Sequence, residues 1–154
     1  MLICYLWYNI VNQNKWNIHL SMLKKFFGKK SSTKRVLIVE DDALLSRVLS
    51  DGFSKEGFKV LMVSNGNDVM AAIDRFSPQM ILLDLVIPGL DGFAVLKQIK
   101  SQDKIKNIPV AVLSNLGEAA DIKSTKALGA VEYFIKSNTE MFRIIDFVKS
   151  QLKV

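Results

Sequence analysis

Five short apolar runs mark the later part of this chain, at residues 36–39, 60–63, 80–83, 110–113 and 131–135. Each is rich in branched side chains, and four of them are unbroken by a polar residue. Strands covered on both faces of a parallel sheet read this way, because neither face meets water. Between the runs, apolar residues recur at helical spacing. Leu44, Leu45, Val48, Leu49 and Phe53 form one stripe. Val69, Met70, Ile73 and Phe76 form a second, and Phe93, Val95, Leu96 and Ile99 a denser third. Ile122, Lys126 and Leu128 mark a weaker fourth, and Met141, Ile144, Ile145, Val148 and Leu152 a fifth. Phe142 and Phe147 fall on opposite flanks of that last stripe. They widen its core edge, or one of them serves a partner.

The punctuation agrees. Gly57 ends the first helix, Ser77-Pro78 precedes the third run, Pro109 opens the fourth and Gly129 closes the fourth helix. Five strand–helix units within residues 36–154 predict a single doubly wound α/β domain. Such sheets bind ligands at the carboxyl ends of their strands.

Composition narrows the chemistry. Apolar residues make up 49% of the chain, enough for a sizeable core. One Cys excludes a disulfide framework and a multi-Cys zinc site. One His excludes a His-clustered metal site and leaves little room for a Ser-His-Asp triad. The net charge of +6 is unevenly spread. Residues 1–35 hold seven basic residues and no acidic one, which leaves 14 basic and 15 acidic residues for 36–154. The body is therefore near −1, and the basic balance belongs to the head.

Residues 1–35 read as a basic, disordered extension of a folded domain at 36–154. The apolar residues 1–11 are too short to span a bilayer and lack the features of a signal peptide. From Met22 the text turns short and basic, MLKKFFGKKSSTKR, so Met22 is an alternative start. A second reading places Phe26 and Phe27, among lysines, on anionic lipid. Cys4 and His19 have no partners in sequence and are assigned no chemistry.

The residues after each strand carry the site. Glu40, Asp41 and Asp42 follow the first run, Asp84 the third, Ser114 the fourth and Lys136 the fifth. Parallel strands bring these to one edge of the sheet. Clustered carboxylates repel and call for a divalent cation, and hard oxygen donors on few protein groups suit Mg²⁺. A cation, a lysine and a hydroxyl around one carboxylate are what phosphoryl transfer needs. Taken singly, each has a plainer reading. Asp42 or Ser114 could cap a helix, and Lys136 could be a solvated loop charge.

The texts VLIVEDD, ILLDLVIPGLDG, IPVAVLSN and GAVEYFIK stand in this order across residues 36 to about 154. Together they resemble the response-regulator receiver family of two-component signalling. The resemblance implies a flavodoxin-like (βα)5 fold with strand order 2-1-3-4-5. It implies Asp84 as phosphoacceptor and Mg²⁺ held by Asp84, by Asp41 directly, by Glu40 mainly through water and by the main-chain carbonyl of Val86. It makes Ser114 the switch hydroxyl, Lys136 the contact to phosphoryl oxygens and Tyr133 the aromatic that turns inward on activation. Pro88, Asp91 and Gly92 would shape the loop after the acceptor.

The resemblance implies phosphorylation by a sensor histidine kinase or phosphotransfer protein, and the end of the text at Val154, after the fifth helix, leads to the expectation of a stand-alone, cytoplasmic regulator. It would not be an enzyme beyond phosphorylating itself and slowly losing the phosphate. Output would pass to a downstream protein, or into a phosphorylation-dependent dimer, through the fourth helix, fifth strand and fifth helix, without direct DNA binding. Two other classes compete. A Mg²⁺-dependent α/β aspartyl phosphatase would typically carry a second acid where Val86 stands. A nucleic-acid binder would use the basic head.

The chain departs from the family's pattern in places. Ser137 replaces the usual proline after Lys136, which predicts a trans bond there. Asn115 replaces a small residue and would narrow access to the acceptor. Val86 and Leu116 offer no hydrogen bond to an attacking water, which predicts a long-lived phosphoryl group.

Overall fold

The structure, a computed structural model, describes residues 33–154. The readings of Met22, Phe26, Phe27, Cys4 and His19 therefore lie outside the described residues. Strands β1 (Arg35–Val39), β2 (Lys59–Val63), β3 (Met80–Leu83), β4 (Val110–Ser114) and β5 (Glu132–Ile135) alternate with five helices. These are α1 (Ala43–Lys55), α2 (Val69–Phe76), α3 (Gly92–Ser101), α4 (Ala119–Ala127) and α5 (Met141–Leu152). All strand pairs are parallel, and the order across the sheet is β2-β1-β3-β4-β5.

The unbroken apolar runs follow from burial on both faces. Leu37, Val39, Ile81, Leu83 and Val110 point into one core layer, against Val69, Ala72 and Ile73 of α2 and Val95, Leu96 and Ile99 of α3. Val36, Ile38, Met80, Leu82, Ala111 and Leu113 point into the other, against Leu49 and Phe53 of α1 and Ile144, Ile145 and Val148 of α5. At about 25 cal/mol per Å² of apolar area removed from water, these two layers are the main source of stability.

The helices begin and end as their sequences require. Asp42 Oδ1 accepts from the Leu44 and Leu45 amides at 2.8 and 3.0 Å, capping α1. Asp91 Oδ1 accepts from the Ala94 amide at 2.9 Å and caps α3. Gly57 and Gly129 follow α1 and α4 with φ of +84° and +99°, a conformation that favours glycine. The Lys136–Ser137 bond is trans, as expected.

Three helical faces differ from the sequence reading. On α1, Leu44 and Val48 are exposed (75% and 44%) rather than part of the core stripe. The buried face instead runs through Ser46, Leu49, Gly52 and Phe53. Gly52 lets α1 approach α5 so closely that a Cβ there would lie 3.0 Å from Met141 Sδ and 3.2 Å from Ile145 Cδ1. On α4, Thr125 is the buried residue, while Lys126 is exposed and lies 3.8 Å from Glu132. On α5 the two flanking phenylalanines part company. Phe147 packs edge-on to Phe134 with ring centroids 5.4 Å apart, while Phe142 is exposed. Met141 sits at the exposed margin of its stripe.

Phe53 is fully buried and packs edge-on against Phe58, with ring centroids 5.6 Å apart. Phe53→Ala is expected to lower unfolding free energy by about 3–5 kcal/mol, as large core deletions do. Phe142→Ala should change it by less than about 0.5 kcal/mol, both read from urea denaturation.

Candidate functional site

The carboxyl edge of the sheet gathers its charged groups through the backbone ladder. The Glu40 amide donates to the Val63 carbonyl at 2.9 Å, so the chain leaves β1 still tied to β2. The Asp84 amide donates to the Val39 carbonyl at 3.0 Å, which sets Asp84 beside Glu40. Both carboxylates are buried, whereas Asp41 is exposed. Lys136, at the end of β5, reaches back across the edge. Its Nζ lies 2.5 Å from Asp84 Oδ2 and 2.7 Å from Glu40 Oε2. Lys136 is thus no solvated loop charge.

Each Asp84 oxygen has its own donor. Oδ2 takes the Lys136 ammonium, and Oδ1 accepts from the Val86 amide at 3.1 Å. Glu40 Oε1 also accepts from the Asp42 amide at 3.2 Å. Burial pushes the Glu40 carboxyl above its ordinary pKa, and Lys136 pulls it only part of the way back. Burial alone would lower the Lys136 ammonium. Its hydrogen bonds to Asp84 and Glu40, together with their charges, outweigh that and hold it above the ordinary lysine value. The lysine therefore stays charged at neutral pH.

Glu40, Asp41 and Asp84 each present a carboxylate oxygen within 4.8 Å of the others. Three hard oxygen donors, one of them open to water, fit a small divalent cation that keeps part of its hydration shell. Val86 itself is 59% exposed, and its aliphatic side chain supplies no general acid beside Asp84. That absence disfavours the aspartyl phosphatase reading.

The other side of the edge is built on β4 and β5. Ser114 is buried, pairs in register with Ile135, and its Oγ accepts from the Leu116 amide at 3.5 Å. It does not cap α4, whose N-terminal neighbour is Glu118. Tyr133 is half-buried and its hydroxyl donates to the Leu116 carbonyl at 2.5 Å. Burial, then the nearby charge of Asp121, raises the Tyr133 pKa, so the hydroxyl remains a donor. Asn115 is exposed.

The loop after Asp84 is pinned at Gly92, whose amide donates to the Leu85 carbonyl at 3.0 Å. A Cβ at 92 would lie 2.5 Å from Leu85 Cα, so the turn needs glycine. The sequence reading gave no role to the β2–α2 loop, yet the Gly66 amide donates to the Pro88 carbonyl of the loop after Asp84 at 3.0 Å. Its only signal was the Asn65-Gly66 turn text. Among the described residues, no helix is long and apolar enough to cross a membrane.

This chain is similar to known proteins in sequence and fold. The response regulator receiver domain profile matches residues 36–146. Sporulation initiation phosphotransferase F of Bacillus subtilis (strain 168) is 34% identical over 119 residues, covering 77% of this chain and 94% of that protein. A probable transcriptional regulator, ycf27 of Guillardia theta, is 32% identical over 103 residues. That match covers 67% of this chain but only 39% of the regulator. Among solved structures, the Mn²⁺-bound form of response regulator Rcp1 superposes with a TM-score of 0.67 at 28% identity, covering 76% of this chain and 92% of that one. Receiver domains are signalling modules, and the five-stranded flavodoxin-like architecture with its acidic edge is theirs. By its sequence match, its strand order and that edge, this chain belongs to the response regulator receiver domain family of two-component signalling.

Proposed function

We propose that residues 36–154 form a stand-alone phosphorelay receiver. It takes a phosphoryl group from a phosphohistidine onto Asp84 and signals through another protein in the cytoplasm. The observation that carries this reading is the separate grip on the two Asp84 oxygens, Val86 N–H on one and Lys136 on the other. Phosphoryl transfer depends on positioning and charge neutralisation rather than on covalent assistance from the protein. The Bacillus phosphotransferase, spanned over 94% of its length, supports a relay role. The near-neutral body argues against direct DNA binding, and residues 1–35 are a separate basic extension in this reading.

The reaction balances simply. A carboxylate oxygen of Asp84 attacks phosphorus in line with the phosphorus–nitrogen bond of the donor. The oxygen–phosphorus bond forms as the phosphorus–nitrogen bond breaks, and the electron pair stays on the donor imidazole. Glu40, Asp41, Asp84 and the Val86 carbonyl would hold Mg²⁺, which when bound supplies positive charge against the transferring oxygens. Lys136 offsets that charge from the other side and orients the acceptor. Ser114 then donates its hydroxyl to a phosphoryl oxygen, breaking its weak contact with the Leu116 amide. The loop after β4 shifts with it, and Tyr133, hydrogen-bonded to that loop, carries the change to β5. Phe142 and the half-buried β5 lie on the surface that a partner or a second copy would read.

Three outcomes test this reading. Intact-mass spectrometry after incubation with acetyl phosphate and Mg²⁺ should show one phosphoryl adduct, absent in Asp84→Asn and absent with chelator. A folded protein without the adduct overturns the assignment. Lys136→Met should slow adduct formation by about 10²-fold, the usual loss for one preorganised electrostatic contact. A rate within threefold of wild type would exclude a direct role for the ammonium. The double variant Val86→Asn, Leu116→Glu should shorten the life of the adduct, followed by mass after donor removal, because each new side chain can hydrogen-bond the attacking water. An unchanged half-life would show that these positions do not limit hydrolysis.

A further inference from the structure

The loop from Asp84 to Asp91 must hold the Val86 carbonyl still, yet much of it lacks internal support. Its near end is tied by the Asp84 amide to Val39 and by the Val86 amide to Asp84 Oδ1. Its far end is tied by Gly92 to the Leu85 carbonyl. Between these ties, Ile87 is buried in the core, whereas Pro88 and Gly89 are exposed.

The β2–α2 loop supplies the middle tie. β2 and β3 flank β1 on either side, so the loops leaving their carboxyl ends meet across the end of β1, where Glu40 and Asp41 stand. Gly66 is buried, and its amide donates to the Pro88 carbonyl at 3.0 Å. A Cβ at 66 would overlap the Leu90 carbonyl oxygen and lie 2.7 Å from its carbon. From the other side, a Cβ at Gly89, whose φ is +79°, would overlap Asn65 Oδ1 and lie 2.9 Å from Asn67 Nδ2. At Gly66 backbone therefore meets backbone, with no side chain that could yield, whereas at Gly89 the acceptor loop rests on the Asn65 and Asn67 side chains. Asn65 stiffens the approaching loop, since its Oδ1 accepts from the Asn67 amide at 2.9 Å. The turn then runs into α2, which is anchored by Val69, Ala72 and Ile73.

We infer that Asn65 and Gly66 are positioning residues for the cation site, acting by clasping the acceptor loop so that the Val86 carbonyl is preorganised. The inference rests on the proposal that Val86 and the acidic edge hold Mg²⁺. Without the clasp, the cation would have to order the loop as it binds, and the lost entropy would weaken binding.

The test is Mg²⁺ titration of the full chain by isothermal calorimetry, with Gly66→Ala, Asn65→Ala and Gly57→Ala beside wild type. Gly57 has positive φ and nothing within 4 Å of a Cβ, so its variant strains the fold far from the clasp. Gly66→Ala is expected to raise the Mg²⁺ dissociation constant about tenfold, the usual cost of losing outer support at a metal site. Asn65→Ala introduces no clash and should raise it about threefold by the same route, which keeps the test open if Gly66→Ala does not fold. Gly57→Ala should lower the thermal midpoint and leave the constant unchanged. Saturating Mg²⁺ should return the acetyl phosphate rate of the Asn65 variant to within about twofold of wild type, a split that general destabilisation would not give. A wild-type constant in folded Asn65→Ala and Gly66→Ala, or an equal shift in Gly57→Ala, overturns the clasp alone. A wild type that binds no Mg²⁺ overturns the clasp together with the receiver site.

Discussion

Two buried carboxylates share one ammonium at the carboxyl edge of this sheet, and the rest of the site is arranged around that shortage of positive charge. Glu40 and Asp84 are 3% and 4% exposed, and Lys136 touches both. Removing either anion from water is costly, and an uncompensated one is costlier still. The fold accepts the cost because the three groups arrive on separate strands, β1, β3 and β5, whose positions are set by the sheet. No local segment could hold them together against their repulsion.

Rigidity is not evenly distributed along that edge. β1 and β3 lie inside the sheet, and the side chains from Val36 to Val39 and from Met80 to Leu83 are almost wholly buried. Glu40 and Asp84 follow directly from these segments and inherit their stiffness. β5 is an edge strand, half-buried along its whole length. α4 packs through Thr125 and a few partly buried neighbours rather than through an apolar stripe. Lys136, Tyr133 and the loop after β4 thus sit on the softer half. A site that is stiff where the proposed phosphoryl group would be received and loose where the response would emerge suits a switch, since low local stability is what allows an element to move.

The sheet was the most legible part of the molecule. Burial on both faces forces runs such as 36–39 and 80–83 to be apolar throughout, and strand-end placement then brought Glu40, Asp84, Ser114 and Lys136 to one edge. Helix faces were less legible where the core accepts residues that are not hydrophobic. Ser46 and Gly52 line the buried face of α1, and Thr125 is buried on α4 with its hydroxyl donating to the Asp121 and Ile122 carbonyls of its own helix. A stripe counted in apolar letters passes over all three and takes in the exposed Leu44 and Val48 instead. The direct pairing of Glu40 with Lys136, 96 residues apart, depends on side-chain reach. The Gly66–Leu90 approach depends on the Cβ that glycine lacks, and the Asn65-Gly66 text announces a turn but not the loop it meets.

The shared ammonium also bears on why the proposed reaction would need more than lysine. While Asp84 is a bare carboxylate, Lys136 satisfies both acids. In the proposed reaction a phosphoryl group on Asp84 would add negative oxygens at the same spot, and these would compete with Glu40 for the one ammonium. Glu40 cannot follow the lysine, because its amide is fixed to Val63 and its Oε1 to the Asp42 amide. Its charge would then call for a cation entering from the open side, where Asp41 is the exposed carboxylate. In the proposed reaction the call for a divalent ion would therefore arise from charge counting at this edge: two buried acids, one lysine and an incoming anion would leave a deficit that the described side chains of the edge do not fill.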